Sequence, residues 1–460
     1  MRMNNALTTL VGEELEGRNK WGGTMTAPNG SLYGIPHSSR RVGKFNPIDK
    51  SMTHIGPYLG DDSDTMWYEG AMTENGVIYC PPGYDDRGIL KIDTNTDTVT
   101  ELDADLLPER GDWLWRSCAL ALDGCIYFMP SNADRILKLD PNNGDAITSV
   151  GDFMGEDEEG VKSSKYSGTV VGIDGCVYGI PEQTNRILKY DPSNNITSFV
   201  GEELDRDFNI CNKGALARDG CIYALAGNHE GVVLKIDTTN NSYCYVGTSI
   251  LSHFDDPGDV DMDRWRNPIL GIDGCIYWPS EKNLRTLKYD PHSDQTSVVG
   301  GVGRNEGYEY DIKWNSGALA PDGVIYCIPL SANQVLAIDP WGEFLETTKA
   351  HMEDHPEKFG LLFQTIEADV SVPRVSLSNF DHAVVKFGQN EVFEAMEKSM
   401  KPINAFCKKY NLFPFLIAAS CKETNLDAIH HLLRHNPSWV NSVIGSLEIS
   451  APKNKKRRVK

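Results

Sequence analysis

The sequence predicts an all-β fold, a seven-bladed β-propeller closed by its N-terminal strand and followed by a small α-helical extension. Three landmarks recur in register: an aromatic residue, an Asp-Gly or Asn-Gly turn with tyrosine three positions later, and an LKxD-like phrase. The turn glycines lie 45 to 54 residues apart, a period that suits four-stranded propeller blades. They are Gly30, Gly76, Gly124, Gly175, Gly220, Gly274 and Gly323.

Each repeat divides into four short strands. An inner strand such as CALALDG ends at the turn, where we expect a type I′ hairpin with positive φ at both central residues. The second strand, as in CVYGIP, ends at proline, which has no N–H to donate to a sheet ladder. The third, as in RILKLD, leads into an Asp-Pro turn, and the fourth reads like ITSFVG.

The inner strands carry small residues where they should converge on the propeller axis. Six positions before the turn glycine stand Thr24, Gly70, Cys118, Thr169, Gly214, Pro268 and Gly317. The seventh repeat lacks its fourth strand after Asp339, whereas the N-terminal LTTLVGEELEG matches ITSFVGEELDR of the fourth repeat. We therefore expect Leu7–Gly12 to pair with the seventh blade, because a closed ring protects sheet edges that would otherwise invite aggregation.

The repeat resembles a group of propeller proteins that iterate the phrase DGxIYGIP…RVLKIDP. The resemblance covers about residues 1–345. The period is kelch-like, but the kelch double glycine and the WD40 GH…WD pairing are not found. What the resemblance implies is architecture, since propellers host hydrolases, lyases, lectins and scaffolds alike.

The composition changes after the propeller. We expect a linker over 346–377, a helical segment over 378–445 and a basic tail over 446–460. The helical segment contains FPFLIAA, which is similar to the T-P-L-H-x-A-A phrase of an ankyrin repeat. A single ankyrin-like helix pair cannot bury its own apolar face, so it should pack on a neighbouring surface or on a partner.

The formal net charge of −21 argues against nucleic acid as a partner. No apolar stretch is long enough to cross a membrane, and the first residues do not resemble a secretory signal. We therefore expect a cytoplasmic or nuclear protein with reduced thiols. Six residues of the tail fit a monopartite nuclear localisation signal read by an import receptor, with a merely solvated basic tail as the alternative. They are Lys453, Lys455, Lys456, Arg457, Arg458 and Lys460.

Four repeats place a cysteine directly after the turn glycine: Cys125, Cys176, Cys221 and Cys275. Two other repeats place valine there, and the spacing does not match paired thiolate ligands, so we expect packing rather than a metal site. The acidic stretches 155–160 and 255–264 lack the residue order of a calcium loop. We expect no metal, no cofactor and no catalytic residue.

Nine positions before six of the seven turn glycines stands an aromatic residue, and the fifth repeat has Cys211 there. These aromatic residues should wedge between adjacent blades, with an aromatic-lined channel mouth as the alternative. Directly after this position the repeats diverge into polar residues, which should ring the channel entrance and form the ligand- or partner-binding site. These candidate residues are Tyr68, Glu69, Arg116, Asn212, Lys213, Arg266, Asn267 and Asn315.

We favour a non-catalytic scaffold or adaptor that binds a protein partner through the propeller face and the helical extension. One alternative is a metal-assisted lyase or lactonase, with a divalent ion between Glu69 and the neighbouring asparagines at the channel mouth. The other alternative is a glycan-binding lectin, which would need the same polar pocket in every blade.

Overall fold

The structure is a computed structural model that describes residues 8–60, 67–84, 86–155, 164–204, 210–226, 232–250, 265–271, 273–282, 284–300 and 312–340. The strands in these residues form seven antiparallel sheets of four strands each. The predicted seven-bladed all-β propeller is therefore confirmed. The expected linker, helical segment and basic tail lie outside the described residues. Within the described ranges, no helix has the length and apolar character needed to span a membrane.

The strands follow the chain in order from the axis outward, after β1 (Thr8–Val11). Blade I contains β2 (Trp21–Thr26), β3 (Leu32–Pro36), β4 (Val42–Phe45) and β5 (Met52–Ile55); blade II contains β6 (Ala71–Met72), β7 (Val77–Cys80), β8 (Leu90–Asp93) and β9 (Thr98–Glu101). Blade III contains β10 (Trp115–Leu120), β11 (Ile126–Pro130), β12 (Ile136–Asp140) and β13 (Ala146–Val150); blade IV contains β14 (Tyr166–Val171), β15 (Val177–Pro181), β16 (Ile187–Asp191) and β17 (Ile196–Val200). Blade V contains β18 (Ile210–Leu216), β19 (Cys221–Ala226), β20 (Val233–Asp237) and β21 (Ser242–Val246); blade VI contains β22 (Ile269–Leu270), β23 (Ile276–Pro279), β24 (Thr286–Asp290) and β25 (Gln295–Val299). Blade VII contains β26 (Ala318–Leu319), β27 (Ile325–Cys327) and β28 (Val335–Ile338).

The N-terminal strand completes blade VII. β1 pairs with β28 in antiparallel register, with Thr8 opposite Ile338 and Val11 opposite Val335. The pairing confirms the predicted closure. It joins the two ends of the blade array by backbone hydrogen bonds and gives blade VII the same four strands as the other blades.

The turn between the first two strands of each blade differs from the predicted type I′ hairpin. The turn glycine has positive φ, for example 77° at Gly124, but the preceding Asp or Asn does not. In blade III, Gly124 N–H donates to Ala121 O and Ala121 N–H donates to Cys125 O, which encloses three residues. This is a type I turn followed by a left-handed glycine, the usual three-residue hairpin loop. The aspartate stays right-handed because its carboxylate accepts the N–H of Cys125 and the hydroxyl of Tyr127.

The core consists of apolar layers between adjacent blades. The recurring tryptophans lie in these layers and are at most 2% exposed. Trp21, for example, packs on Tyr326 and Ile328 of blade VII, and its Nε1–H donates to the carbonyl of Arg41 in its own blade. The aromatic residues are therefore wedges between blades, as the first of the two predictions has it. Their burial leaves the residues that follow them to form the channel mouth.

Candidate binding surface at the channel mouth

A break in the β-ladder releases the residues that follow each aromatic wedge. In blade III the register shifts between Trp115 and Cys118, and in blade II only an isolated bridge, Trp67 to Pro82, precedes β6. Bulges of this kind turn side chains out of the sheet and are frequent beside functional sites. The divergent residues predicted from the sequence therefore stand free of the ladder at the start of the inner strands.

Three of the candidate residues meet across the propeller axis. Glu69 of blade II is 5% exposed, and its Oε1 accepts a hydrogen bond of 2.5 Å from Asn267 Nδ2 of blade VI. Its Oε2 lies 3.1 Å from Lys213 Nζ of blade V. Because blades II and V face each other across a seven-membered ring, this carboxylate bridges the channel rather than lining it.

Two further candidates extend the same network toward blades VII and I. Tyr68 Oη donates to Asn315 Oδ1 at 2.8 Å, and Asn315 Nδ2 donates to Gly22 O at 2.7 Å. The Asn267 N–H donates to Asn315 O at 3.1 Å, so the two halves are continuous. Gly22 is required here, since a Cβ on it would lie 2.9 Å from Tyr68 O. We call Tyr68, Glu69, Lys213, Asn267 and Asn315 the polar plug.

Two arginines hold carboxylates at the edge of the plug. Arg116 Nη1 of blade III donates to Glu182 Oε2 of blade IV at 2.6 Å, and Arg266 Nε pairs with Glu281 Oε1 within blade VI. These four residues are the charged rim. The Arg116–Glu182 side chains are about one quarter exposed, 29% and 26%, so this pair is open to a ligand while the buried centre of the plug is not.

An aromatic patch adjoins the rim on blades II and III. The Trp113 ring lies 6.1 Å from the Tyr68 ring, edge-on at 87°, and 6.0 Å from the Tyr84 ring. The Arg116 guanidinium stands 5.5 Å from the Trp113 ring centroid, within the range of a cation–π interaction. Tyr68, Tyr84 and Trp113 are each half-buried. We use the name aromatic patch for these three residues.

Burial controls the titration of the groups around the mouth. It raises the pKa of the Tyr68 hydroxyl; Glu69 adds to this shift, and the neighbouring Arg266 and Arg116 oppose it. Burial also lowers the pKa of His37, whose ring lies 5.4 Å from that of Tyr68, to about 4. His37 is therefore neutral at physiological pH, and the Tyr68 hydroxyl is protonated and able to donate.

The structure thus brings seven of the eight candidate residues together in the plug and the rim; Asn212 falls in β18, where its side chain lies outside the description. The sequence prediction missed Trp113, Tyr84, Glu182 and Glu281. Glu182 and Glu281 both stand seven positions after a turn glycine, as does His37. Comparing the repeats at that position would have revealed the acidic partners of the two arginines.

A metal ion at Glu69 would have to compete with the ammonium group of Lys213. Within the described ranges no group of three or more His, Cys, Asp or Glu side chains is arranged to hold a metal ion. At Glu69 the compensating positive charge is the Lys213 ammonium, and the second oxygen is taken by an amide. The acidic stretch 255–264 and residues 156–163 lie outside the described residues.

Comparison with solved structures agrees with the propeller. A streptogramin B lyase is 13% identical over 72% of this chain and 98% of its own length, with a TM-score of 0.54. Virginiamycin B lyase from Staphylococcus aureus is 13% identical over 72% of this chain and 98% of its own length, with a TM-score of 0.55. Hydrazine synthase from Kuenenia stuttgartiensis is 14% identical over 71% of this chain and 97% of its own length, with a TM-score of 0.52. Likeness at this identity shows the fold alone. No protein-family model and no curated protein matches the chain.

Proposed function

We propose that this protein is a non-catalytic scaffold or adaptor that binds a protein partner at the channel mouth. The observation that carries the proposal is that the charged groups of the mouth are paired with one another, Glu69 with Lys213, Arg116 with Glu182 and Arg266 with Glu281. A catalytic acid or base has to be left able to reach a substrate. Ion pairs that neutralise each other instead give a rigid surface with a fixed pattern of charge.

Such a pattern suits recognition of a macromolecule. Partly exposed Arg–carboxylate pairs contribute direction and selectivity, because a partner must match the position of each sign. Tyrosine, tryptophan and arginine are also the residues most enriched among the strongly contributing contacts of protein interfaces. The exposed parts of the rim and the aromatic patch combine all three types.

The remainder of the chain enters the proposal from its sequence. The expected ankyrin-like segment, 378–445, would add a second contact surface for the partner. The tail residues Lys453 to Lys460 would engage an import receptor and distribute the protein between cytoplasm and nucleus. Both are proposals about residues outside the described structure.

Two other functions have weaker support. A lyase or lactonase is suggested by the fold of the neighbours, but fold does not carry chemistry, and Lys213 already neutralises the carboxylate that would hold an ion. A lectin would repeat one polar pocket around the ring. Instead, the position after the aromatic wedge differs from blade to blade, with Gly22, Tyr68 and Arg116 in the first three.

A reversed ion pair tests the proposal. Arg116→Glu combined with Glu182→Arg keeps an ion pair but inverts its polarity, and the matched control inverts Arg186 and Glu203, an exposed pair at the outer edge of blade IV. We expect affinity capture from native lysate to recover the same partner with wild type and control. Recovery with the reversed rim pair should fall about tenfold or more, since like charges facing each other across an interface cost several kcal/mol.

Equal recovery with the reversed rim pair, or no partner above background with wild type, would contradict the proposal. Captures with and without residues 351–460 separate the contribution of the propeller from that of the C-terminal segment. Loss of all partners on truncation, with no effect of the rim, would assign binding to the C-terminal segment alone.

A further inference from the structure

Trp113 departs from the repeat in its backbone as well as its side chain. Its φ is 54°, in the left-handed region that a bulky L-residue rarely adopts. Of the equivalent positions in other blades, Asn19 and Ser164 are also left-handed, with φ of 50° and 52°, whereas Ile312 of blade VII is not. The left-handed turn therefore recurs in blades I, III and IV, and Trp113 stands where the other two of these blades have Asn or Ser. A tryptophan held there against its preference indicates that the ring itself is used.

The surroundings of Trp113 hold its ring in place without covering it. Its N–H donates to Gly83 O of blade II at 2.9 Å, and the ring centroids of Tyr68 and Tyr84 lie 6.1 Å and 6.0 Å from that of Trp113. The ring nevertheless remains half-buried, unlike the wedge Trp115, which is 1% exposed. The aromatic patch is therefore a firm, partly open apolar surface at the junction of blades II and III.

The polar atoms of the patch are an indole N–H, which only donates, and tyrosine hydroxyls, which can donate and accept. The wedge tryptophans donate their Nε1–H to backbone carbonyls, as Trp115 does to Arg135 O at 3.0 Å. Within the described part of the chain, neither Trp113 Nε1 nor Tyr84 Oη has a hydrogen-bond partner. Arg116 uses Nη1 on Glu182 and stands over the Trp113 ring. A ligand would thus meet aromatic faces, an indole N–H, a phenol and a guanidinium edge.

Proline-rich peptide is the ligand class that matches this surface. Proline has no N–H, and a polyproline II helix exposes carbonyl acceptors and flat pyrrolidine rings. Domains that recognise such segments use grooves lined by aromatic side chains. A lysine- or arginine-rich peptide would be repelled by the positive charge of Arg116, which already stands over the Trp113 ring. An oligosaccharide would present many hydroxyl donors, and the Glu182 carboxylate beside Arg116 is already engaged.

We propose that the aromatic patch of Tyr68, Tyr84 and Trp113 is the docking site for a proline-rich segment of the partner protein. This inference rests on the proposed function and gives the partner its chemistry. Proline rings pack on Trp113 and the two tyrosines, and the Trp113 Nε1–H and the Tyr84 hydroxyl donate to peptide carbonyls. Arg116, held by Glu182, marks one end of the site.

The indole N–H of Trp113 is the reporter that tests the proposal. The full chain is labelled with ¹⁵N at tryptophan, and the Trp113 indole signal is assigned from its disappearance in Trp113→Phe. Decaproline is then titrated, with a glycine–serine decapeptide, octalysine and cellohexaose as the other probes. We expect decaproline to shift the Trp113 signal saturably while the signals of the wedge tryptophans stay in place.

Three variants accompany the titration, with fluorescein-labelled decaproline as the anisotropy probe. Trp113→Asn places at this turn the residue that occupies it in blade I, so it should fold normally and bind roughly tenfold or more weakly. Trp113→Phe keeps an aromatic ring and loses the N–H, so its affinity for decaproline should lie between those of Trp113→Asn and wild type. Phe199→Ala removes an aromatic residue that also has an arginine, Arg186, 4.6 Å from its ring, and it should bind like wild type.

The proposal is overturned if decaproline leaves the Trp113 signal unmoved, if Trp113→Asn and Phe199→Ala bind alike, or if octalysine or cellohexaose produces the shift instead. These outcomes are separate from the lysate captures. A partner that depends on the rim pair but not on proline would leave the proposed function standing and remove only the proline-rich ligand.

Discussion

The cysteine that follows four of the turn glycines is buried, with exposed fractions from 1% at Cys275 to 8% at Cys176. Burial raises the pKa of the Cys125 and Cys221 thiols to about 11 and that of Cys176 to about 12, with the adjacent turn aspartates adding to the shift. A thiol with a raised pKa is neither a ready nucleophile nor a metal ligand. The environment supports the packing role expected from the exchange with valine.

Replacing these thiols by valine should change stability mainly at alkaline pH. For Cys125, Cys176 and Cys221 the folded pKa is above the ordinary value, so the native state keeps protons that the unfolded chain loses. The stabilisation from the neutral thiols is full below about pH 9 and is lost as pH rises through about 11 to 12. The triple valine variant should be within about 1 kcal/mol of wild type at neutral pH and should lose less stability on alkalinisation.

Urea unfolding in reducing buffer at about pH 8 and about pH 10.5 measures this difference. Buried tyrosines also have raised pKa values, for example Tyr190 at about 12, but they are common to both proteins and largely cancel in the comparison. An identical fall in the two proteins would contradict the account of the cysteines.

Several blades contain a cluster of one carboxylate, one tyrosine and one lysine. The carboxylate comes either from the blade's own turn or from the next blade. In blade III the turn residue Asp123 accepts from Tyr127 and pairs with Lys138 of the same blade. In blade I the turn residue is Asn29, and the carboxylate comes from Asp97 of blade II, 2.7 Å from Tyr33 Oη and 2.6 Å from Lys44 Nζ. Blade VII lacks the lysine, with Ala337 in its place, and receives Lys50 from blade I beside Asp322.

Moving the carboxylate back to the turn tests this exchange. Asp97→Asn should lower the free energy of unfolding by about 1 kcal/mol, because Lys44 and Tyr33 lose their acceptor at a partly exposed site. Adding Asn29→Asp to that variant should recover most of the loss, since it rebuilds the arrangement of blade III. A double-mutant cycle by urea unfolding measures the coupling. If the changes in unfolding free energy of Asp97→Asn and Asn29→Asp simply add in the double variant, the two carboxylate positions are not equivalent and the account is contradicted.

Element boundaries and partners were predictable from the sequence to different degrees. The wedge, the turn glycine and the closing proline of the second strand recur, so their roles followed from position alone. The predicted turn type was wrong because an Asp-Gly pair alone does not determine the φ of the aspartate. The Asp123 carboxylate accepts the N–H of Cys125 and the hydroxyl of Tyr127, and these bonds favour the type I turn. Trp113 was missed because the equivalent residues of other repeats, such as Asn19 and Ser164, give no functional signal in the sequence. The left-handed φ that these two share with Trp113 is what shows that a tryptophan is unusual there.

For the whole molecule, the ring closure and the polar plug act together. β1 joins the two ends of the chain of blades, and Glu69 links blades that lie opposite each other across the axis. The closure was predictable because a strand was missing at one end and present at the other. The contacts across the axis were not, since a repeat reveals which positions converge but not which of seven side chains is long enough to meet another.

Contact between a protein partner and the mouth is the claim on which the functional account depends. The most direct measurement is photo-crosslinking in cells, with p-benzoylphenylalanine in place of Tyr84 at the mouth and, as the matched control, in place of Phe199 at the outer edge of blade IV. The account predicts a discrete crosslinked protein from position 84 and none from position 199. Absence of any adduct at 84, or the same adduct from both positions, would contradict it.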